Sequence, residues 1–202
     1  MITVEEARRY YAEADAAHNF DHVLRVLALA ERIARAEGAD LEIVRAAALL
    51  HDVGRVGEER GDGCHARIGA ARAREILRGH PQNRVEAVAE AIAAHRFRRG
   101  PDPQSLEARV LYDADKLDAI GAIGVARAYA VAGREGQRLW ADLAEDPADG
   151  GGGHTPVHEF ALKLSRLKDG LFTAAARQIA ADRHRFMVAF FQRLAEEVQG
   201  KR

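Results

Sequence analysis

The feature that most restricts how this chain can fold is an apolar run that ends in two groups difficult to bury. Ala47-Ala48-Leu49-Leu50 leads directly into His51-Asp52, and Gly54 follows. Val44, Ala48 and His51 recur at helical spacing, so the imidazole points to the same side as the apolar stripe. Asp52 comes straight after it, where an unpaired carboxylate is costly. A fold that buries this helix end has to bring partners to that carboxylate from other segments.

Those segments also read as helices. Thr3 with Glu6 is a capping box opening a short first helix. From Asn19 the residues Val23, Val26, Leu27, Ala30, Ile33 and Ala34 keep a helical period, and Gly38 is a plausible stop. Asp40 can cap the helix that leads to His51. Ala66 to Leu77 forms a fourth helix, ended by Gly79 and Pro81. Val85, Val88, Ile92 and His95 mark a fifth, ended by a turn at 98–101. Ser105 then begins one long helix running through Val110, Ala114, Leu117, Gly121, Val125 and Ala128. Two C-terminal helices are expected at about 157–168 and 171–198. No alternating strand pattern and no internal repeat appears. The expectation is an all-α protein with a single helical domain over 1–202, its core at about 19–132. Residues 145–156, with four glycines and two prolines, are expected to form a flexible loop before the C-terminal helices.

Nine histidines are spread along the chain without a tract. His95 closes the Val88–Ile92 stripe as His51 closes its own, so two helices end their buried face in an imidazole. A single histidine placed this way is usually a hydrogen-bonded core residue; two of them with carboxylates nearby indicate a shared polar cavity. His22 borders the Val23–Val26 stripe, with His18 one turn before it and Arg25 on the same side. The run Asp113-Ala114-Asp115-Lys116-Leu117-Asp118 interrupts an apolar helix. Asp113 and Asp115 lie about 200° apart and cannot face one site, whereas Asp115 and Asp118 can.

His22, His51, Asp52 and Asp115 together offer four nitrogen and oxygen ligands, a set suited to Mn²⁺, Fe²⁺, Co²⁺ or Mg²⁺ with positions left for water and a phosphate oxygen. Such an ion activates water and neutralises phosphoryl charge. Arg25, Arg55, His65, His95 and Lys116 are the groups available to hold the rest of a phosphorylated substrate. No glycine loop of the type that cradles ATP phosphates is present.

A net charge of -1 gives no electrostatic reason to expect a nucleic-acid polymer as the main ligand. Cys64 is the lone cysteine, which excludes an intrachain disulfide or a cysteine-based zinc cluster. Met1-Ile2-Thr3-Val4-Glu5-Glu6 lacks a secretory apolar core, and no apolar run reaches membrane-spanning length. The expected location is the cytoplasm. The oligomeric state is not legible.

In order and spacing, Asp21-His22-Val-Leu-Arg25, Ala47-Ala-Leu-Leu-His51-Asp52-Val-Gly54-Arg55, Ala94-His95-Arg96-Phe97 and Asp113-Ala-Asp115-Lys116-Leu-Asp118 resemble the signature of the HD-domain superfamily. They are similar above all to its small standalone bacterial hydrolases, and the C-terminal Lys163…Leu167-Lys168 and Arg183…Phe186-Met187…Phe190 stretches continue the likeness. The resemblance implies an HD-type helical bundle with additional C-terminal helices. It implies a divalent ion (Mn²⁺, Mg²⁺, Fe²⁺, Co²⁺ or Ni²⁺) on His22, His51, Asp52 and Asp115, and hydrolysis of nucleotide phosphates. Asp52, His65 and His95 are the expected catalytic residues, and His18, Arg25, Arg55, Lys116 and Asp118 the expected substrate contacts. His65 and His95 match positions where some relatives hold a second ion; the residues here favour phosphate contacts. Pyrophosphohydrolysis of nucleoside triphosphates is the favoured reaction. The alternatives are a 5′-nucleotidase, a phosphodiesterase, or a non-catalytic module that senses nucleotides.

Overall fold

The computed structural model describes residues 1–11, 20–96, 102–143 and 154–202, apart from the Glu59 side chain. His18, the 98–101 turn and nearly all of the glycine-rich loop lie outside the described residues. Within them the structure is all-α, with no β-strand. The helices are α1 (Val4–Arg8), α2 (Phe20–Glu37), α3 (Leu41–Leu50), α4 (Arg55–Glu59), α5 (His65–Ile76), α6 (Gln82–Ala94), α7 (Leu106–Leu117), α8 (Gly121–Arg134), α9 (Pro156–Leu162) and α10 (Ala174–Val198). A 3₁₀ segment covers Leu164–Gly170. No helix among the described residues is long and apolar enough to cross a membrane.

The caps read from the sequence are formed. Thr3 accepts from the Glu6 amide and Glu6 reaches back to the Thr3 amide, which closes the capping box on α1. Asp40 accepts from the Glu42 and Ile43 amides at the start of α3. Three features differ from the expectation. The short helix α4, between His51-Asp52 and α5, has too little apolar periodicity to announce itself. The long helix expected from Ser105 is two helices, because Ile120 is extended and Gly121 adopts φ +80, which ends the i→i+4 ladder between α7 and α8. The C-terminal helix expected at 157–168 remains α-helical only to Leu162; Lys163 leaves helical geometry and the chain tightens into the 3₁₀ segment.

The residues cluster into two compact units, Met1–Asp115 with Leu171–Ala176, and Lys116–Gly170 with Arg177–Arg202. In the first unit α2 packs on α3, α3 on α6 and α5 on α6. Its core is built from Val23, Val26, Ala30 and Ile33 of α2, Val44, Ala47 and Leu50 of α3, and Val88 and Ile92 of α6, all buried. Full burial of a side chain such as Ile33 contributes on the order of 2 kcal/mol. Three consecutive buried alanines, Ala46 to Ala48, keep α3 thin enough to be covered on several sides.

Two glycines then fix the spacing at the end of α3. A Cβ on Gly54 would collide with the His65 carbonyl and lie 2.6 Å from the Gly69 amide; one on Gly69 would lie 3.1 Å from the His51 carbonyl. Backbone meets backbone here, so the His51–Gly54 turn is held directly against the first turns of α5. In the second unit α8 packs on α9 and the Phe160 ring stacks on Phe191 of α10 at 4.4 Å. Met187 and Val125 are buried within that unit.

Candidate metal centre

Each residue of the cluster is carried to it by a helix end. His22 comes from the first turn of α2, His51 caps the C-terminus of α3, Asp52 follows it, His65 opens α5 and His95 caps the C-terminus of α6. All five are buried. Asp115 lies near the C-terminal end of α7, half-buried, with Oδ1 3.4 Å from His22 Nε2.

The four imidazoles form a row, with ring centroids 5.3 Å apart for His22–His51 and His51–His95 and 5.1 Å for His65–His95. Asp52 lies along this row and serves both of its ends. Its Oδ2 is 3.7 Å from His22 Nε2 and 3.6 Å from His51 Nε2, while Oδ1 is 3.8 Å from His95 Nε2 and 3.9 Å from His65 Nε2. Two three-residue groups result, His22–His51–Asp52 and Asp52–His65–His95. Each has its ligand atoms close enough to share one ion.

Hydrogen bonds at the far side of each ring decide which nitrogen faces inward. His51 Nδ1 lies 2.8 Å from the Ala48 carbonyl, and His95 Nδ1 contacts the Ile92 carbonyl. A carbonyl only accepts, so both Nδ1 atoms carry the proton and both Nε2 atoms turn a lone pair toward the cluster when the rings are neutral. His65 Nδ1 is 2.7 Å from Glu58 Oε2, with the same consequence. His65 Nε2 and His95 Nε2 then face each other at 3.3 Å. Two lone pairs at that distance repel unless a cation or a proton lies between them.

Asp52 Oδ1 adds a second sign of the same kind: it is buried and has no hydrogen-bond partner. At 3.8 Å His95 is too far to supply one. A buried carboxylate oxygen without a partner costs stability, and a divalent cation removes that cost. The donor set, imidazole nitrogen with carboxylate oxygen, therefore fits a divalent ion.

The electrostatics agree. Burial pushes the His51 imidazole down to about 4, and the neighbouring His95 and His22 rings act in the same direction against Asp52 and Asp115. Burial works to raise the Asp52 carboxyl, but His51, His95 and Arg55 outweigh it and hold the group well below the usual carboxylate range. His65 is lowered by burial, then by Arg55 and His95. A neutral His51 beside an ionised Asp52 is the pair of protonation states that a metal ion requires of its ligands.

Of the expected substrate contacts, Arg55 sits at the cluster, its Nε donating to Asp52 Oδ2 at 2.8 Å. Arg25 lies on α2 three residues after His22, half-buried. Lys116 and Asp118 belong to the second unit, where the buried Asp118 carboxylate is 3.2 Å from Arg127 Nη1. Asp113 and Asp115 part company as their angular separation requires. The buried Asp113 accepts from the Phe172 amide, the Thr173 amide and the Thr173 hydroxyl, so it ties down the N-terminus of α10. Glu58, on the unforeseen α4, escaped the sequence reading altogether.

A family model for the HD domain matches residues 19–120. The YpgQ protein of Bacillus subtilis is 36% identical over 187 residues, which are 91% of this chain and 85% of that one. The crystal structure of B. subtilis YpgQ in complex with ADP superposes with a TM-score of 0.75 at 29% identity, covering 98% of this chain and 99% of the other. An HD-superfamily hydrolase from Bacillus thuringiensis superposes with a TM-score of 0.74 at 30% identity, over 97% of this chain and 94% of that one.

Proposed function

This chain belongs to the HD-domain family, and on that premise we propose that it is a divalent-metal-dependent phosphohydrolase that cleaves nucleoside triphosphates, ribo or deoxy, to the monophosphate and pyrophosphate. The observation that carries the reading is Asp52, a buried, ionised carboxylate with an unpartnered oxygen between two pairs of inward-facing imidazoles. The ADP complex of the YpgQ relative supports a nucleotide as the ligand.

His22, His51, Asp52 and Asp115 would hold the ion. When bound, it would supply Lewis acidity for a phosphoryl oxygen and for the attacking water. Asp52 and Asp115 balance its charge. The Ala48 carbonyl keeps His51 in the ligating tautomer. Burial of His22 and His51 excludes bulk water from that side, which strengthens every charge interaction within it. Arg55, which donates to Asp52 Oδ2, would meet phosphoryl charge at the edge of the cluster. Arg25 would add a second guanidinium, and His65 and His95 would meet phosphate as donors only on taking up a proton at Nε2; together they favour an extended polyphosphate.

The facing lone pairs of His65 and His95 favour a second reading of that half, in which Asp52, His65 and His95 hold a second ion in place of touching phosphate directly. Metal content measured on wild type and on His95→Ala separates the two. A fall from about two ions per chain to about one supports the second ion, and an unchanged content near one supports the phosphate contact.

The reaction is tested with Mn²⁺ and a panel of nucleoside mono-, di- and triphosphates in isotope-labelled water. Triphosphates should be the best substrates, with the label in the monophosphate or in pyrophosphate. Label confined to orthophosphate, with monophosphates preferred, makes the protein a 5′-nucleotidase. Stoichiometric metal with no turnover of any phosphate ester makes it a sensor.

A further inference from the structure

His51, His65 and His95 each have an acceptor behind the ring, and the acceptors are of two kinds. His51 and His95 close helices, so each finds a carbonyl of its own last turn three residues back. His65 opens a helix. The residues before it, 62–64, are not helical, and the same device is unavailable at an N-terminus. Its acceptor is instead the Glu58 side chain, on a separate short helix.

We propose that Glu58, clamped by Arg96, is the positioning residue that aims His65 Nε2 into the cluster. The proposal rests on reading the cluster as the catalytic centre. Glu58 Oε2 lies 2.7 Å from His65 Nδ1, and its other oxygen pairs with Arg96. An ionised carboxylate only accepts, so it demands the proton on Nδ1 and disfavours a flipped ring that would turn a C–H toward it. Arg96 holds the other oxygen: its Nη1 is 2.9 Å from Glu58 Oε1 and 3.1 Å from Cys64 Sγ. Arg96 directly follows His95, and Cys64 directly precedes His65. One guanidinium therefore registers both rings of the Asp52–His65–His95 group against each other. A half-exposed ion pair contributes little to stability by itself. Its effect here is on the direction of a ring.

With Mn²⁺ and dATP, Glu58→Ala should lower kcat about 10- to 100-fold while leaving the thermal midpoint nearly unchanged. Glu58→Gln, whose amide oxygen still accepts from Nδ1–H, should recover most of that loss. In a His65→Ala background Glu58→Ala should cost nothing further, since a residue acting through His65 has nothing left to act on. Long-range nitrogen–proton NMR of the metal-free protein should show the His65 proton on Nδ1 in wild type and a mixed tautomer in Glu58→Ala. Additive losses in the double variant, a Gln variant no better than Ala, or a wild-type His65 protonated on Nε2 would overturn the proposal. If wild type hydrolyses no phosphate ester, the reading of the centre fails, and the NMR experiment still decides what Glu58 does.

Discussion

The two halves of the histidine row share Asp52 and differ in what backs it. The His22–His51 half also sets two Nε2 atoms 3.3 Å apart, but it has the guanidinium of Arg55 on its own Asp52 oxygen, Oδ2, and a second carboxylate, Asp115, 3.4 Å from His22. The His65–His95 half has one unpartnered oxygen and two opposed lone pairs, kept in place by a helix carbonyl and by Glu58. The first half balances a cation with charge. The second has Asp52 Oδ1 as its one carboxylate oxygen, and so depends more on the direction of its rings and on groups that never touch the ligand. In a buried cluster, ligand count alone does not say how strongly a half holds an ion; the partners behind each ring and the charge beside it decide as much.

The largest expected effect comes from removing what the halves share. Asp52→Asn should lower kcat/KM by about 10³-fold or more and strip bound metal, because both groups lose their carboxylate. His51→Ala or Asp115→Ala should lose the ion as well. Metal analysis alongside the kinetics checks this, and an Asp52→Asn protein that keeps stoichiometric metal would break the comparison.

Changing the spacing between the halves should come next. Gly54→Ala forces a methyl group into the His65 carbonyl and the Gly69 amide, and backbone cannot yield as a side-chain tip can. A loss of about 3 kcal/mol in denaturant unfolding is expected, with the metal-free protein affected at least as strongly. An unchanged midpoint would show that the halves are less tightly coupled than their contact implies.

Acid should act on the His22–His51 half through His51. Its folded value of about 4 lies below the ordinary 6.5, so the unfolded chain binds a proton more readily across that window. Stability is therefore full above 6.5 and falls as the pH drops toward 4, by on the order of 3 kcal/mol from this group. Asp52 is held well below its ordinary range and contributes no loss until the pH is lower still. Thermal unfolding of metal-free protein between pH 7 and pH 4 measures the slope; a His51→Gln variant should flatten it.

The smallest effect provides the control. Asp113 sits two residues from Asp115 on α7 yet caps α10. Asp113→Ala should cost about 2 kcal/mol of stability and leave metal content unchanged, where Asp115→Ala does the reverse.

These contrasts mark how far the sequence could be read. That His22, His51, Asp52 and Asp115 come together was legible because each interrupts or ends an apolar stripe, where a polar side chain needs a reason. The caps at Thr3 and Asp40 were legible because capping is local chemistry. Glu58 was not: it sits in a five-residue helix without apolar period, and its meaning comes from His65 and Arg96 on other segments. The break between α7 and α8 was hidden because Gly121 is tolerated inside a helix pattern, and only its φ of +80 shows that it ends one. Asp113 gave the angular clue that it faces away from the cluster, but the partner it faces toward lies some sixty residues on.

The backbone contact at Gly54 and Gly69 also bears on how such a protein can change over time. Because main chain sets the separation of the His51 turn from α5, the side chains around it are free to vary without moving the frame. A substitution at a helix end can then change a side chain of the cluster while the spacing set at the two glycines stays the same.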